Sequence, residues 1–188
     1  MNLIIFGPPG AGKGTQSSLI SNKYNLFKLS TGEILRDEIK KKTDLGIKIS
    51  PAMNSGSFVS DEIVSELIEK IIKDEKYNSR IIFDGYPRSL NQAKNLNILL
   101  KRYNQKIDIV LKLSVSLETI KTRISERKSV ENRPDDNEPV AIKRYQTYEK
   151  STEPVIEYYK KLNLLKVIDG ERSIDQINKE ISDIISLI

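Results

Sequence analysis

Gly7-Pro8-Pro9-Gly10-Ala11-Gly12-Lys13-Gly14-Thr15 follows directly on the apolar run Leu3-Ile4-Ile5-Phe6, and the reading of this junction decides the fold. Four glycines and one lysine between a buried strand and a helix start form a cradle for phosphate oxygens. Glycine lets the backbone turn through positive φ and approach a ligand with no Cβ in the way. The turned chain aims several N–H groups inward, and the helix that follows adds its positive end. Lys13 supplies a full charge for the β and γ oxygens of a nucleotide, with a hydroxyl nearby for magnesium. The general pattern G-x-x-x-x-G-K-[ST] would put that hydroxyl at position 14, whereas here Gly14 intervenes and Thr15 follows. The alternative is an ordinary glycine-rich turn between strand and helix.

Outward from this junction, five short segments rich in Ile, Leu, Val or Phe read as buried strands: Asn2–Phe6, Leu26–Ser30, Arg80–Asp84, Ile107–Leu113 and Leu164–Asp169. Helical pattern separates each from the next, which predicts an α/β fold: a parallel sheet with helices on both faces. Ile63, Val64, Leu67, Ile68, Ile71 and Ile72 make one apolar stripe behind Ser60 as a cap, with Asp61 and Glu62 in the first turn. Ile174, Ile177, Ile181, Ile184 and Ile188 mark a last helix, opened by a Ser173–Gln176 capping box. Leu117, Ile120 and Ile124 mark another, with Arg123 and Arg127 on one face. Residues 31 to 79 are too long for one crossover helix; they contain the break Ser50–Gly56 and read as a helical insert. Lys128–Pro139 reads as a polar surface loop, a lid, and Pro154 is expected to kink or split a long helix.

A chain of 188 residues is one domain able to bury a sizeable core. The start MNLIIFG enters a strand without a basic leader, so no signal peptide is expected, nor any run able to span a bilayer; we expect a cytoplasmic protein. There is no cysteine, which excludes disulfides, thiol catalysis and a cysteine zinc cage. There is no histidine either, so the commonest general base and metal ligand are missing. The net charge of +5 comes mostly from lysine scattered over polar helix faces, a solvated surface and not a nucleic-acid stripe. Against 22 lysines stand nine arginines, at 36, 80, 88, 102, 123, 127, 133, 144 and 172. In so lysine-biased a chain, arginine is expected where a planar bidentate fork is needed, as around phosphate.

The third strand runs into Asp84-Gly85-Tyr86-Pro87-Arg88. A carboxylate at the carboxyl end of a buried strand, in a chain with a phosphate loop, is the expected partner of Mg²⁺ and its waters. The plain alternative is a turn leaving the strand, but Arg88 adds a guanidinium to the same crevice.

Gly7–Thr15, Ser30–Arg36, Gly56–Val59, Asp84–Arg88 with Gln92, Arg123, Arg127, Arg133 with Asp135-Asp136, Arg144 and Asp169-Gly170 together resemble the adenylate kinase family, in order and spacing, over essentially the whole chain. Gly14 between lysine and threonine is the form this family uses. The resemblance implies a five-stranded P-loop NTPase-type core (1–29, 60–126, 138–188), an insert for the nucleoside monophosphate (30–59) and a short lid (127–137). It implies reversible Mg²⁺-dependent transfer from ATP to AMP, giving two ADP, by a monomer that needs neither nucleic acid nor membrane. Gly10, Ala11, Gly12, Lys13, Gly14 and Thr15 would hold ATP phosphates; Arg127 and Arg172 would contact ATP and Arg123 its adenine. Thr31, Arg36, Ser57, Phe58, Val59, Gly85, Tyr86, Pro87, Arg88 and Gln92 would form the AMP site. Arg133 and Arg144 would clamp the transferring phosphoryl group, and Thr15 and Asp84 would serve the metal. The short lid lacks the cysteines and histidines with which some long lids bind zinc, so no zinc is expected.

Phosphoryl transfer fits a chain without histidine, because it needs alignment and charge neutralisation and a phosphate acceptor is already ionised. Gln92 can present one donor and one acceptor to adenine, although with Ser89 it could equally form a capping box; Thr31 has a similar alternative as a helix start behind Ser30 with Glu33. A UMP/CMP-type or other small-molecule kinase is the nearest alternative. A GTPase would need Asn-Lys-x-Asp, and Asn22-Lys23-Tyr24-Asn25 lacks the aspartate. A basic, non-catalytic nucleic-acid binder would need an aromatic-plus-basic cluster.

Overall fold

In the computed structural model, which describes residues 1–131 and 138–188 and the backbone alone at residues 130, 131 and 138, all five expected strands are present. They are β1 (Leu3–Phe6), β2 (Phe27–Ser30), β3 (Ile81–Asp84), β4 (Ile109–Ser114) and β5 (Leu165–Asp169). All pair in parallel, in the order β2-β3-β1-β4-β5. The side-chain alternation of β1 divides the interior into two cores. Leu3 and Ile5 enter one with Ile82, Leu111 and Leu113, while Ile4 and Phe6 enter the other with Leu29 and Phe83. Leu3, Ile4 and Ile5 are fully buried, and each stabilises the fold by about 1.5–3 kcal/mol.

Helix α1 (Lys13–Tyr24) and α8 (Ile174–Ile185) cover the first core. The second is covered by α4 (Asp61–Ile72), α5 (Leu90–Arg102) and α7 (Glu138–Lys161). Between β2 and α4 stand α2 (Thr31–Lys40) and α3 (Asp44–Asn54), the helices of the expected insert; a 3₁₀ turn, Glu75–Tyr77, precedes β3. Helix α6 (Leu117–Glu131) follows β4 and packs Ile120 and Ile124 on Ala141 of α7. At the amino edge of the sheet the buried Asn2 holds the ends of two loops: its amide donates to Gln105 Oε1 (3.1 Å) and its oxygen accepts from Ile81 N–H (3.1 Å). The carboxyl edge is left for chemistry. The chain leaves β1 toward β2 and leaves the neighbouring β3 toward β4, in opposite directions, and this opens a crevice there.

Several local expectations need correction. Pro154 does not split α7, and Pro51 lies within α3 instead of breaking the chain at residue 50. In each case the carbonyl deprived of its partner, at Lys150 or Ile47, belongs to an exposed residue, so water can replace the lost bond. Residues 128–131 extend α6 and residues 138–139 open α7, so they are helical and not loop; 132–137 lie outside the described residues. Ser60 stands at the N-cap of α4 but makes no side-chain capping bond; the Glu62 backbone N–H first, and then the Ser60 hydroxyl, lower the pKa of the Glu62 carboxyl. The Ser173–Gln176 box is complete. The Ser30–Glu33 and Ser89–Gln92 pairs have only the hydroxyl half, because Glu33 pairs with Lys28 and Gln92 turns elsewhere. No described helix is long and apolar enough to cross a membrane.

Candidate active site

The turn after β1 is built on two left-handed glycines, Gly10 (φ +84) and Gly12 (φ +88). At Gly10 a Cβ would also stand 3.1 Å from Ile124 Cγ1 and 3.3 Å from the Ile120 carbonyl, so the loop is pressed onto α6. Gly12 caps α1, and Lys13 is its first residue. The Lys13 ammonium donates to the carbonyls of Gly7 (2.7 Å) and Pro8 (3.0 Å), which centres it over the loop. Burial pushes its pKa down to about 8, partly offset by Asp84 and reinforced by Arg88, Arg144 and Arg127. Thr15 is exposed in the first turn of α1.

Asp84 closes β3, opposite Ile5 of β1 and Ser30 of β2. It is 6% exposed, and burial raises its pKa against the pull of Lys13, Lys28 and Arg88. One carboxylate oxygen lies 3.9 Å from where a Cβ on Gly14 would stand, so the group faces the first turn of α1. A hard cation that keeps several waters and takes one or two carboxylates beside phosphate oxygens fits this donor set. Among the described residues no three His, Cys, Asp or Glu side chains gather as a metal cage.

Beyond Asp84 the chain turns through Gly85, whose carbonyl accepts from the Thr31 hydroxyl (3.0 Å) and Arg88 Nε–H (2.7 Å). The Tyr86–Pro87 peptide is cis. Tyr86 is buried core, 2% exposed, and burial pushes its hydroxyl pKa up to about 12. The Arg88 guanidinium lies 5.0 Å from the centre of the Phe58 ring, a cation–π distance. Burial, with Arg144 and Arg36 nearby, pushes its pKa down to about 10, so it stays charged at neutral pH.

One cavity collects the basic groups; Thr15, Thr31 and Asp84 are not among its lining residues. Lys13, Arg36, Arg88 and Arg144 line it with Gly7, Gly85 and Pro87, and the insert contributes Ser57 and Phe58. Val59, Gln92 and Tyr86 are buried behind this lining. Arg123 and Arg127 share the inner face of α6; Arg123 donates to the Gly170 carbonyl (2.9 Å). Arg172 is not brought to the cavity: it pairs with Glu180 and Asp169 beside α8. Arg133 lies outside the described residues.

Pro9, Gly32 and Gly56 also line it, inside motifs quoted from the sequence but given no site role there; Met53, Tyr148 and Thr152 had no such role either. Tyr148 and Thr152 follow Arg144 at intervals of four on α7, and that helical period was the available signal. Lys28 is another. Its ammonium binds Glu33 (2.7 Å) and Ser18 (3.3 Å) and lies 4.0 Å from a Cβ position on Gly14.

Four cations converging with a phosphate-type turn and a buried carboxylate suit the handling of two polyanions and their exchange of a phosphoryl group. A family model described as adenylate kinase matches residues 5–164. A protein of Pelagibacter ubique named adenylate kinase is 45% identical, with all of both chains covered over 213 aligned positions. One from Caulobacter sp. with the same name is 39% identical over 188 positions, again covering both chains fully. A third, from Fervidobacterium nodosum, is 37% identical and covers 98% of this chain and 97% of its own.

Proposed function

This chain belongs to the adenylate kinase family and catalyses ATP + AMP → 2 ADP, and we propose that the cavity between the β1 turn, the insert and α7 is where that transfer occurs. The observation that carries this reading is the convergence of Lys13, Arg36, Arg88 and Arg144 on one cavity at the carboxyl edge of the sheet. Like its family, the chain uses MgATP.

The loop from Gly10 to Thr15 holds the ATP phosphates, with Lys13 on the β and γ oxygens and Arg127 on the donor side. Arg123 lies toward the donor adenine; Arg172 reaches the donor only by exchanging its carboxylate partners for ATP. Asp84 and Thr15 would hold the magnesium ion of MgATP, which would supply positive charge against the phosphate oxygens. AMP occupies the insert side, its phosphate on Arg36 and Arg88 and its ribose beside Thr31 and Gly85. The backbone of residues 57–59 and the Gln92 amide face its base.

An AMP phosphate oxygen attacks the γ phosphorus, and the bond from that phosphorus to the β–γ bridging oxygen breaks. The acceptor oxygen is already ionised near neutral pH, so no general base is needed, in keeping with a chain that lacks histidine. Arg88 and Arg144, with Arg133 from the lid segment, neutralise charge spreading over the moving group. Water must be excluded, since hydrolysis of ATP is the competing reaction.

We take residues 30–59 as the acceptor insert and 127–137 as a short lid. The alignment with the Pelagibacter relative has 213 positions for 188 residues, so 25 of them have no counterpart in this chain. We take a monomer in a cytoplasmic setting as the working unit, which accords with nucleotide substrates. A coupled assay with MgATP and each nucleoside monophosphate tests the assignment. AMP is expected as the best acceptor, and Lys13→Met is expected to abolish the chemical step while the protein stays folded. CMP outpacing AMP, or an unchanged Lys13→Met rate, would overturn the reading.

A further inference from the structure

Gln92 is 3% exposed, and its side-chain amide is held at both ends. Nε2 donates to Asp61 Oδ1 (2.5 Å), and Oε1 accepts from the backbone N–H of Arg88 (2.6 Å). Asp61 is the first residue of α4, and its other oxygen accepts from the Ser89 hydroxyl (3.2 Å). Ser89 in turn caps α5 by accepting from Gln92 N–H (3.2 Å). The carboxylate that grips the amide is therefore itself fixed.

We propose that Asp61 is a positioning residue that locks the polarity of the Gln92 amide and so makes the acceptor site choose 6-amino over 6-oxo purines. The inference rests on the reading above that Gln92 faces the acceptor base.

A primary amide has two N–H donors and two acceptor lone pairs, and its two ends are interchangeable by a half-turn unless the neighbours differ. Here they differ in kind. The Asp61 carboxylate only accepts and the Arg88 N–H only donates, so a turned amide would lose both bonds and set like against like at 2.5 and 2.6 Å. One N–H and one lone pair remain, in a fixed order. Adenine offers an acceptor at N1 and a donor at its 6-amino group, and hypoxanthine offers a donor at N1 and an acceptor at O6. A locked amide can match only one of these edges. With Asp61 gone, only the Arg88 N–H resists the half-turn, and the amide can adapt to either base.

The test is kcat/KM for AMP and for IMP with saturating MgATP, in the unaltered protein and in Asp61→Ser, Asp61→Asn, Gln92→Ala and the Asp61→Ser/Gln92→Ala pair. Serine suits a helix start but is too short to reach Nε2, whereas asparagine keeps an oxygen for it. The AMP-over-IMP ratio is expected to fall about ten-fold in Asp61→Ser and to stay within about two-fold of the unaltered value in Asp61→Asn. In the Gln92→Ala background, loss of Asp61 should change the ratio no further. A purely structural Asp61 would lower both rates together and leave the ratio alone; that result in folded Asp61→Ser overturns the proposal, as does loss of the ratio in Asp61→Asn. If Gln92→Ala keeps the full preference, the underlying placement of Gln92 at the base fails instead.

Discussion

Alanine at Gly10 and alanine at Gly12 form a matched pair, because the two positions share a left-handed backbone (φ +84 and +88) and differ in what surrounds them. An L side chain in that region costs about 1–2 kcal/mol, and Gly12→Ala should show that cost alone, since nothing lies within 4 Å of its Cβ position. Gly10→Ala adds contacts at 3.1 Å with Ile124 Cγ1 and at 3.3 Å with the Ile120 carbonyl. Ile120 and Ile124 are 1% and 4% exposed and have no room to yield, so overpacking adds about 1–3 kcal/mol. The expected losses are thus about 1–2 kcal/mol for Gly12→Ala and about 2–5 for Gly10→Ala, within the stability of an ordinary domain. Urea unfolding at constant m-value measures both. Ile124→Ala placed in the Gly10→Ala protein should recover part of the excess, as a coupling of about 1 kcal/mol or more. Equal losses at the two glycines, or no coupling to Ile124, would refute the view that the loop is held against α6.

Two further expectations concern titration and an orphan hydroxyl. The Lys13 pKa is pushed down to about 8, so its charge in the free protein is lost as pH rises through that value. Bound phosphates favour the charged form, so kcat/KM for MgATP should decline above about pH 8 while kcat at saturation holds to higher pH; a flat kcat/KM to pH 9.5 would contradict this. Between that value and the ordinary 10.5 the unfolded chain binds more protons, so this group makes stability rise with pH there. The Tyr148 hydroxyl is buried without a hydrogen-bond partner among the described residues, and burial raises its pKa. Tyr148→Phe should therefore leave stability unchanged or raise it by up to about 1 kcal/mol in urea unfolding, and a loss above about 1.5 would mean that the hydroxyl is bonded after all.

The strands were legible because each is a short apolar run fenced by glycine, proline or polar residues, and parallel strands buried on both faces leave that trace. The phosphate turn was legible because its chemistry is local: the residues that shape it are consecutive. Lys13, Asp84, Arg36, Arg88 and Arg144 were found by residue type, and the fold brings them near one another. The two helical prolines misled because their cost depends on whether a carbonyl four residues earlier can reach water, which sequence does not display. Asp61 read as a first-turn acid, and only the packing of α4 beside α5 shows its grip on Gln92. Arg172 matched a family position, yet Glu180, eight residues further along in α8, takes its guanidinium. Competition among partners is settled in three dimensions.

The crowding of Lys13, Arg36, Arg88 and Arg144 around one cavity has a consequence for discrimination. Like charges held together by a folded scaffold welcome any polyanion of suitable size, so the phosphate ends of the ligands provide grip with little choosiness. Telling one nucleotide from another then falls to the uncharged walls around the bases, where a single misplaced proton donor decides.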